Sequence, residues 1–144
     1  MPKKSQIYSV NEGNYLHWED GLKKYIDYLK EEDKETGRPY SLRYVGSMVA
    51  DIHRTLLYRG IFMYPADNRY PNGKLRVMYE CNPMSMLVEA AGGKATNGKQ
   101  RILEVHPSKL HERSPIYIGN EHEINTLRKF IDAEKVDDKI IIDC

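Results

Sequence analysis

The stretch 60–93 constrains the fold more than any other part of this 144-residue chain. Its first β-favouring run, 61–64, stops at a proline, and the turn that follows at 71–73 contains Asn and Gly, which tolerate positive φ. A second run rich in β-favouring residues, 75–79, predicts another strand. The stretch therefore predicts a strand, a turn and a second strand in close succession.

A helix is predicted directly after the second strand. Asn82 is a favourable N-cap, and Pro83 suits the first helical turn because its missing N–H needs no partner there. Gly92 and Gly93 can end the helix in the left-handed conformation. One carboxylate, Glu80, lies between the strand and the helix, and ligands of open α/β sheets usually bind at the carboxyl ends of strands. Glu80 is therefore the first candidate for a functional residue.

Strands and helices alternate along the rest of the chain. Extended segments are predicted at 7–10, 40–45, 101–105 and 114–119. Apolar spacing predicts amphipathic helices at 18–30, 47–58 and 121–131, with Ser47 as an N-cap. The last residues, 139–144, have strand propensity but no evident partner. This alternation predicts a layered α/β domain.

The composition is that of an ordinary globular domain, with 40% apolar and 30% charged residues. A net charge of +1 gives no field that would hold a nucleic acid or an anionic membrane. No segment predicts a transmembrane helix or a secretory signal, so we expect a cytoplasmic protein. Cys81 and Cys144 lack metal-ligand spacing and predict a buried thiol and a free terminal thiol in a reducing compartment.

Several polar side chains could converge around Glu80. Lys74 and Arg76 would lie on the same side of a strand, because side chains alternate along strands. Tyr64 ends the preceding strand, and the Arg43-Tyr44 pair ends the segment before a helix. Cations and phenols bind phosphate oxygens, and a carboxylate can hold Mg²⁺. This set suits a phosphorylated sugar; the alternative is that the two cations form the solvated face of an edge strand.

Four ordered blocks of the sequence resemble the carboxyl-terminal half of class I fructose-1,6-bisphosphatases. They are YSVNEGN, RYVGSMVADIHRTLLYRGIFMYP, NGKLRVMYECNPMSMLVEAAGGKATNGKQRIL and HERSPIYIG. The resemblance implies a three-layer α/β/α domain with a mostly parallel, mixed sheet over residues 1–131. Residues 132–144 resemble no part of this family and form an unassigned tail.

The resemblance also implies a role for each candidate site residue. Those that match ligands of the sugar and its 6-phosphate are Asn11, Tyr44, Tyr64 and Lys74. Met48 matches a residue lining the sugar pocket, and Arg43 matches an arginine that reaches the 6-phosphate site of a neighbouring subunit. Glu80 matches a metal-bridging carboxylate, with Arg76 beside the metal and the 1-phosphate. Asn14 departs from members of the family that have a tyrosine at this position.

The family implied by this resemblance is a Mg²⁺-dependent, homotetrameric hydrolase of gluconeogenesis, which converts fructose 1,6-bisphosphate to fructose 6-phosphate. The family's amino-terminal half, with an Asp-Pro-Ile-Asp-Gly-Ser-Ser motif and further metal carboxylates, has no counterpart in this sequence. Because such chemistry needs several carboxylates to hold the metal ions, we expect the chain alone to be inactive. A non-catalytic sugar-phosphate-binding or assembly module and a truncated gene product are the alternatives. We also expect an apolar patch beside the 7–10 strand, where the missing half would pack.

Overall fold

The computed structural model describes residues 7–33, 35 and 38–142, with side chains described as far as residue 132. Its helices are α1 (Asp20–Lys30), α2 (Met48–Tyr58), α3 (Asn82–Ala90) and α4 (Glu121–Ile142). Its strands are β1 (Ile7–Ser9), β2 (Ser41–Leu42), β3 (Ile61–Tyr64), β4 (Leu75–Arg76), β5 (Lys94–Thr96), β6 (Arg113–Ser114) and β7 (Ile116–Gly119). Shorter helical segments are 3₁₀ turns at Glu12–His17 and Ile102–Glu104 and a π-helical turn at Val77–Cys81.

A five-stranded mixed sheet, in the order β2–β1–β3–β7–β5, forms the centre of the fold. The strands β2, β1 and β3 run parallel, whereas β7 is antiparallel to both β3 and β5. The predicted α/β class with a mixed sheet is confirmed. The strand β1 has a partner on each side, so the apolar patch expected beside the 7–10 strand cannot lie at a sheet edge formed by β1, and the patch itself stays a prediction.

Helices cover both faces of this sheet. Side chains alternate along β3, so that Ile61 and Met63 lie in one apolar cluster with α1 and α4, while Phe62 lies in the other with α2 and α3. The three side chains are at most 1% exposed. Burial of each contributes about 1.5–3 kcal/mol relative to exposure. The expected three-layer α/β/α arrangement follows from this division.

The predicted helices form where apolar spacing or a cap predicts them. On α1, the predicted apolar face at Leu22, Tyr25, Ile26 and Leu29 is buried. At the start of α2, Ser47 Oγ accepts a hydrogen bond from Ala50 N at 3.5 Å, as predicted for the N-cap. After α3, Gly92 has φ +90°, which is the left-handed stop that the sequence predicts.

The second strand of the central stretch is much shorter than predicted. Its ladder pairs Leu75 with Ser114 and Arg76 with Arg113, and Val77 N still bonds to Glu112 O at 2.9 Å. The segment that pairs with β4 turns immediately beyond this point, where Glu112 N donates a hydrogen bond to Lys109 O. Without a partner to extend the ladder, 77–81 coils into the π-helical turn and continues directly into α3. The predicted boundary at Asn82 as an N-cap is therefore wrong, since the cap position is Cys81.

Three further strand predictions differ from the structure. The 101–105 segment forms a 3₁₀ turn, with Val105 N bonded to Ile102 O, and only Arg101 makes an isolated bridge. The 114–119 segment is divided between β6 and β7 at Pro115, which has no N–H for a ladder. The tail is helical through Ile142, because no Gly or Pro interrupts 121–142. Asp143 and Cys144 lie outside the described residues.

Candidate functional site

Three parallel strands bring polar side chains together at one edge of the sheet. Tyr44 follows β2, Asn11 follows β1 and Tyr64 is the last residue of β3. Because β2, β1 and β3 run in the same direction, their carboxyl ends lie at the same edge. Ligands of α/β sheets bind at such edges. These three residues line one pocket together with Lys74, which comes from the loop before β4.

The floor and rim of this pocket come from residues that the sequence did not single out as ligands. Val10, Trp18 and Met63 line its floor, and each is at most 4% exposed. Polar rim residues, beside the predicted set, are Asn14, Asp67 and Tyr70. The combination of an apolar floor with a few polar groups is typical of small-molecule sites. The sequence signal for Asp67 and Tyr70 is their position in the turn that leads to Lys74.

Lys74 is placed by a tight loop. Gly73 has φ +76°, and a Cβ there would lie 2.5 Å from Pro115 N, so the loop can press against the β6–β7 connection only with glycine at this position. Gly73 N donates a hydrogen bond to Tyr70 O at 2.9 Å. The Lys74 ammonium then lies 4.3 Å from the centre of the Tyr70 ring. The predicted Asn-Gly turn is therefore what delivers Lys74 to the pocket.

The position of Tyr44 depends on an ion pair between a buried carboxylate and a partly buried guanidinium. Asp51, in the first turn of α2, is fully buried and accepts hydrogen bonds from Val45 N at 3.0 Å and Gly46 N at 3.3 Å. Arg54 Nη2 donates to Asp51 Oδ1 at 2.8 Å and to Arg43 O at 2.7 Å. The pair thus fixes the backbone on both sides of Tyr44. Neither residue was predicted as part of the site, because a charged pair spaced i, i+3 on a helix does not by itself indicate a pocket.

The phenol of Tyr44 remains a hydrogen-bond donor at neutral pH. Burial raises its pKa above the ordinary value, and the neighbouring Tyr64 and Asp51 raise it further. A protonated phenol can donate to a phosphate or sugar oxygen. The pocket therefore combines one ammonium with neutral donors.

Glu80 lies between a strand and a helix, as predicted, but not at an edge of the main sheet. It is in the π-helical turn after β4, which belongs to the two-stranded β4–β6 ribbon and not to the main sheet. Glu80 Oε1 accepts a hydrogen bond from Arg76 N at 3.1 Å and lies 3.7 Å from Arg76 Nη1. Close by in sequence, the buried Arg76 Nε and Asn82 Oδ1 have no hydrogen-bond partner among the described residues. These unpaired atoms indicate a polar region that is incomplete within the described part of the chain.

A metal site is not complete within the described side chains either. No group of three His, Cys, Asp or Glu is close enough there to hold an ion. Mg²⁺ is commonly bound by one or two carboxylates, with waters and phosphate oxygens as its other ligands. Glu80, whose side chain is 28% exposed, fits one such ligand position.

The other predicted residues do not join the pocket. Arg43 is exposed, and its Nη1 donates to Leu42 O at 2.9 Å. Met48 is half-buried and packs against the apolar cluster between the sheet, α2 and α3. Neither residue is among those that line the pocket in the described structure, nor are Arg76 and Glu80. The structure thus gathers the four predicted ligands of the sugar and 6-phosphate and separates them from the other predicted residues.

Two other findings concern residues outside the pocket. Cys81 is a free, fully buried thiol, as predicted, whereas Cys144 lies outside the described residues. In the part of the chain that the structure describes, no helix is long and apolar enough to cross a membrane.

The fold and the pocket define a class: an α/β domain whose ligand pocket lies at the carboxyl ends of parallel strands and carries one ammonium and several phenols. Residues 1–132 match the family described as "Fructose-1-6-bisphosphatase, C-terminal domain". The chain belongs to this family. This match confirms the resemblance that the four sequence blocks show to the carboxyl-terminal half of class I fructose-1,6-bisphosphatases.

The relatives are fructose-1,6-bisphosphatases. The class 1 enzyme of Chlorobium phaeobacteroides is 57% identical over 129 residues, which are 90% of this chain and 39% of the relative. The class 1 enzyme of Chloroherpeton thalassium is 54% identical over 90% of this chain and 37% of its own length. The crystal structure of Leishmania major fructose-1,6-bisphosphatase in the T-state has a TM-score of 0.87 and 55% identity, over 92% of this chain and 40% of that chain. This chain therefore spans about two fifths of the length of these relatives.

Proposed function

We propose that this chain is the sugar-phosphate-binding part of a Mg²⁺-dependent fructose-1,6-bisphosphatase. The reaction would be hydrolysis of the 1-phosphate of fructose 1,6-bisphosphate to give fructose 6-phosphate, in cytoplasmic gluconeogenesis. The observation that carries the proposal is the meeting of Asn11, Tyr44, Tyr64 and Lys74 in one pocket. These four residues come from separate segments of the chain and no two belong to the same helix or strand, so only the fold brings them together.

The chemistry of the pocket suits a phosphate monoester on a sugar. The Lys74 ammonium can bind the phosphate dianion, since hydrogen bonds to charged groups are the stronger ones. The phenols of Tyr44 and Tyr64 can donate to phosphate oxygens, and the Asn11 amide offers both a donor and an acceptor. The apolar floor at Trp18 and Met63 can cover the carbon skeleton of the sugar.

Glu80 would act at the other end of the substrate. In our proposal its carboxylate holds Mg²⁺, with Arg76 beside it as a cation for the 1-phosphate. Bound Mg²⁺ would supply charge neutralisation and orientation for phosphoryl transfer. Arg76 N–H holds the Glu80 carboxylate in place, which would pre-orient this ligand before the ion binds. The remaining ligands would come from the amino-terminal half that the longer relatives have in addition.

Oligomerisation would complete the 6-phosphate site. Arg43 is exposed and lies outside the pocket of its own chain, which supports a role in the site of a neighbouring subunit. Exposed apolar side chains nearby, at Val45 and Val49, support burial of this surface in an assembly. We propose a homotetramer for the full-length protein.

The test is a titration of the 144-residue chain with fructose 6-phosphate, followed by calorimetry or NMR. One ammonium with neutral donors should bind a phosphate dianion weakly, with a Kd in the high micromolar to millimolar range, roughly −4 to −6 kcal/mol. Lys74→Ala should abolish detectable binding. Lys24→Ala, which removes an exposed lysine from α1, is the matched control and should bind as the unsubstituted chain does. Equal binding by all three proteins would contradict the proposal.

A non-catalytic sugar-phosphate-binding module is the second candidate. It is favoured by the lack of a three-ligand metal cluster among the described side chains. The two candidates differ in one property: only the enzyme part should gain phosphatase activity when an amino-terminal half is supplied.

A further inference from the structure

We propose that Tyr70 is a positioning residue of the pocket, which holds the Lys74 ammonium against its ring face and leaves the positive charge available for an anion. This inference rests on the function proposed above. Lys74 Nζ lies 4.3 Å from the centre of the Tyr70 ring, within the range of a cation–π contact. Both residues line the pocket.

The net charge of the pocket depends on which kind of group contacts the Lys74 ammonium. A carboxylate within ion-pair distance would also hold the lysine in place, but it would cancel most of the charge that attracts a phosphate. Among the described residues, no carboxylate lies within ion-pair distance of Lys74. An aromatic ring has no net charge, so it orients the ammonium without neutralising it. Tyr70 therefore orients the Lys74 ammonium and preserves its charge, whereas a carboxylate in the same place would neutralise it.

The nearby carboxylate, Asp67, is occupied elsewhere. Its side chain is 7% exposed, and Oδ2 lies 3.2 Å from Arg69 Nη2. Asp67 Oδ1 also accepts hydrogen bonds from Arg69 N at 2.8 Å and Tyr70 N at 2.9 Å. Burial acts to raise the pKa of Asp67, but these hydrogen bonds and the guanidinium outweigh it and lower the pKa. The Asp67 charge is thus used to fix the turn, and Arg69 in turn is tied to the rim through Asn14 Oδ1 at 3.0 Å.

The same turn fixes Tyr70. Besides the bond to the Asp67 side chain, Tyr70 N bonds to Asp67 O at 3.1 Å, and Tyr70 O accepts from Asp67 N and Gly73 N. The Arg69 guanidinium carbon lies 5.9 Å from the ring centre of Tyr70. The backbone of Tyr70 is therefore fixed by the turn, which limits the positions that its ring can take beside Lys74.

Four variants of the full chain test this assignment: Tyr70→Phe, Tyr70→Leu, Tyr70→Glu and the control Tyr58→Leu. Tyr58 is a 68% exposed tyrosine on α2, outside the pocket. The probes are fructose 6-phosphate and inorganic phosphate, and the Kd of each is measured by NMR titration. The Lys74 side-chain methylene resonances, identified by their loss in Lys74→Ala, report the ring-current shift from Tyr70. The amide resonances of Asp67 and Gly73 report whether the turn is intact.

Tyr70→Phe keeps the ring and should keep both the affinity and the Lys74 shift. Tyr70→Leu should weaken binding about two- to fivefold and move the Lys74 resonances towards unstructured values, with the Asp67 and Gly73 amides unchanged. Tyr70→Glu should bind more weakly than Tyr70→Leu, because its carboxylate pairs with Lys74. Tyr58→Leu should match the unsubstituted chain. If Tyr70→Leu keeps full affinity while Lys74→Ala loses it, the role of Tyr70 is wrong and the proposed function stands. If the unsubstituted chain binds neither probe, the proposed function is overturned, and this inference with it.

Discussion

Glu80 and Arg76 are joined twice across one turn of the chain: Glu80 Oε1 accepts a hydrogen bond from Arg76 N at 3.1 Å and lies 3.7 Å from Arg76 Nη1. Neither side chain lines the pocket that contains Lys74. The two candidate functions of this site, binding of the 6-phosphate and binding of the metal, are therefore separable by mutation.

Glu80→Ala should leave the Kd for fructose 6-phosphate within about twofold of the unsubstituted value. The substitution removes an acceptor from Arg76 N and should lower the free energy of unfolding by about 1 kcal/mol, the usual contribution of one hydrogen bond. Calorimetry with the ligand and urea unfolding measure the two quantities. Loss of fructose 6-phosphate binding in Glu80→Ala, with binding retained in Lys74→Ala, would reverse our assignment of the two ends.

The isolated chain should show no turnover of fructose 1,6-bisphosphate in Mg²⁺, because Glu80 alone cannot hold the ions that phosphoryl transfer needs. Co-expression with the amino-terminal part of the Chlorobium phaeobacteroides relative, 57% identical over the shared region, should restore activity if the two parts assemble. Release of phosphate from the substrate is the measurement. Turnover by the pure isolated chain at a typical enzymatic rate of about 1–10³ s⁻¹ would contradict this expectation.

Asp51→Ala should destabilise the fold by about 3 kcal/mol, because it leaves Arg54 without its carboxylate and two backbone N–H groups without an acceptor. Fructose 6-phosphate binding should weaken too, since Tyr44 loses its support. The control is Val49→Ala, which truncates a 62% exposed side chain on the same helix and should change stability by no more than about 0.5 kcal/mol. Urea unfolding measures the free energy of unfolding of both variants. A small effect of Asp51→Ala would show that the ion pair does not hold this segment.

The pH dependence of stability should carry a contribution from Glu123. Its side chain accepts a hydrogen bond from Tyr40 at 2.6 Å and is buried. Burial raises its pKa, although Tyr40, His122 and Asn120 act in the opposite direction. The native state therefore binds more protons than the unfolded state above a glutamate's ordinary pKa of about 4.3, and the free energy of unfolding falls as pH rises through the window up to the native pKa.

Glu123→Gln removes this titration but keeps an oxygen that can accept from Tyr40. Its stability relative to the unsubstituted chain should therefore improve as the pH rises from about 4 towards neutrality, by about 1.4 kcal/mol per unit of the pKa difference. Glu121→Gln, an exposed carboxylate in the same helical turn, controls for the loss of a charge near the start of α4. Chemical unfolding at a series of pH values is the measurement. A difference that stays constant with pH would exclude this role of Glu123.

The Cys81 thiol should be unreactive in the folded protein. Burial, and to a smaller extent the charge of Glu80, raise its pKa to about 12. At pH 8 only about one thiol in ten thousand is then ionised, and the thiolate is the reactive form. In a Cys144→Ser chain, a thiol-specific dye should label Cys81 only when urea unfolds the protein. Rapid labelling without urea would show that the π-helical turn opens readily.

Sequence patterns such as apolar spacing, N-caps and glycine stops predicted the helices that form from interactions between neighbouring residues. The α1 helix forms where Leu22, Tyr25, Ile26 and Leu29 share a face, and α2 begins at the predicted Ser47 cap. Gly92 ends α3 as its conformational freedom suggests. The family blocks also identified Asn11, Tyr44, Tyr64 and Lys74 as a set, which the structure gathers in one pocket.

Tertiary structure decided what depends on a distant partner. Val77 to Tyr79 have strand propensity, yet they are helical because the chain opposite them turns at 109–112 and offers no ladder. The neighbours of β1 and the placement of Glu80 away from the pocket are likewise set by which segments pair. Asp51 and Arg54 face each other through the i, i+3 spacing of α2 alone, whereas the fold places Arg54 against Ser9 of β1 and brings Tyr70 and Lys74 to the pocket. Most helices, the turns and the family could thus be predicted from the sequence, because they follow from neighbouring residues and ordered blocks. Strand pairing and the geometry of the site could not, because backbone hydrogen bonds and side-chain contacts there join residues far apart in the chain.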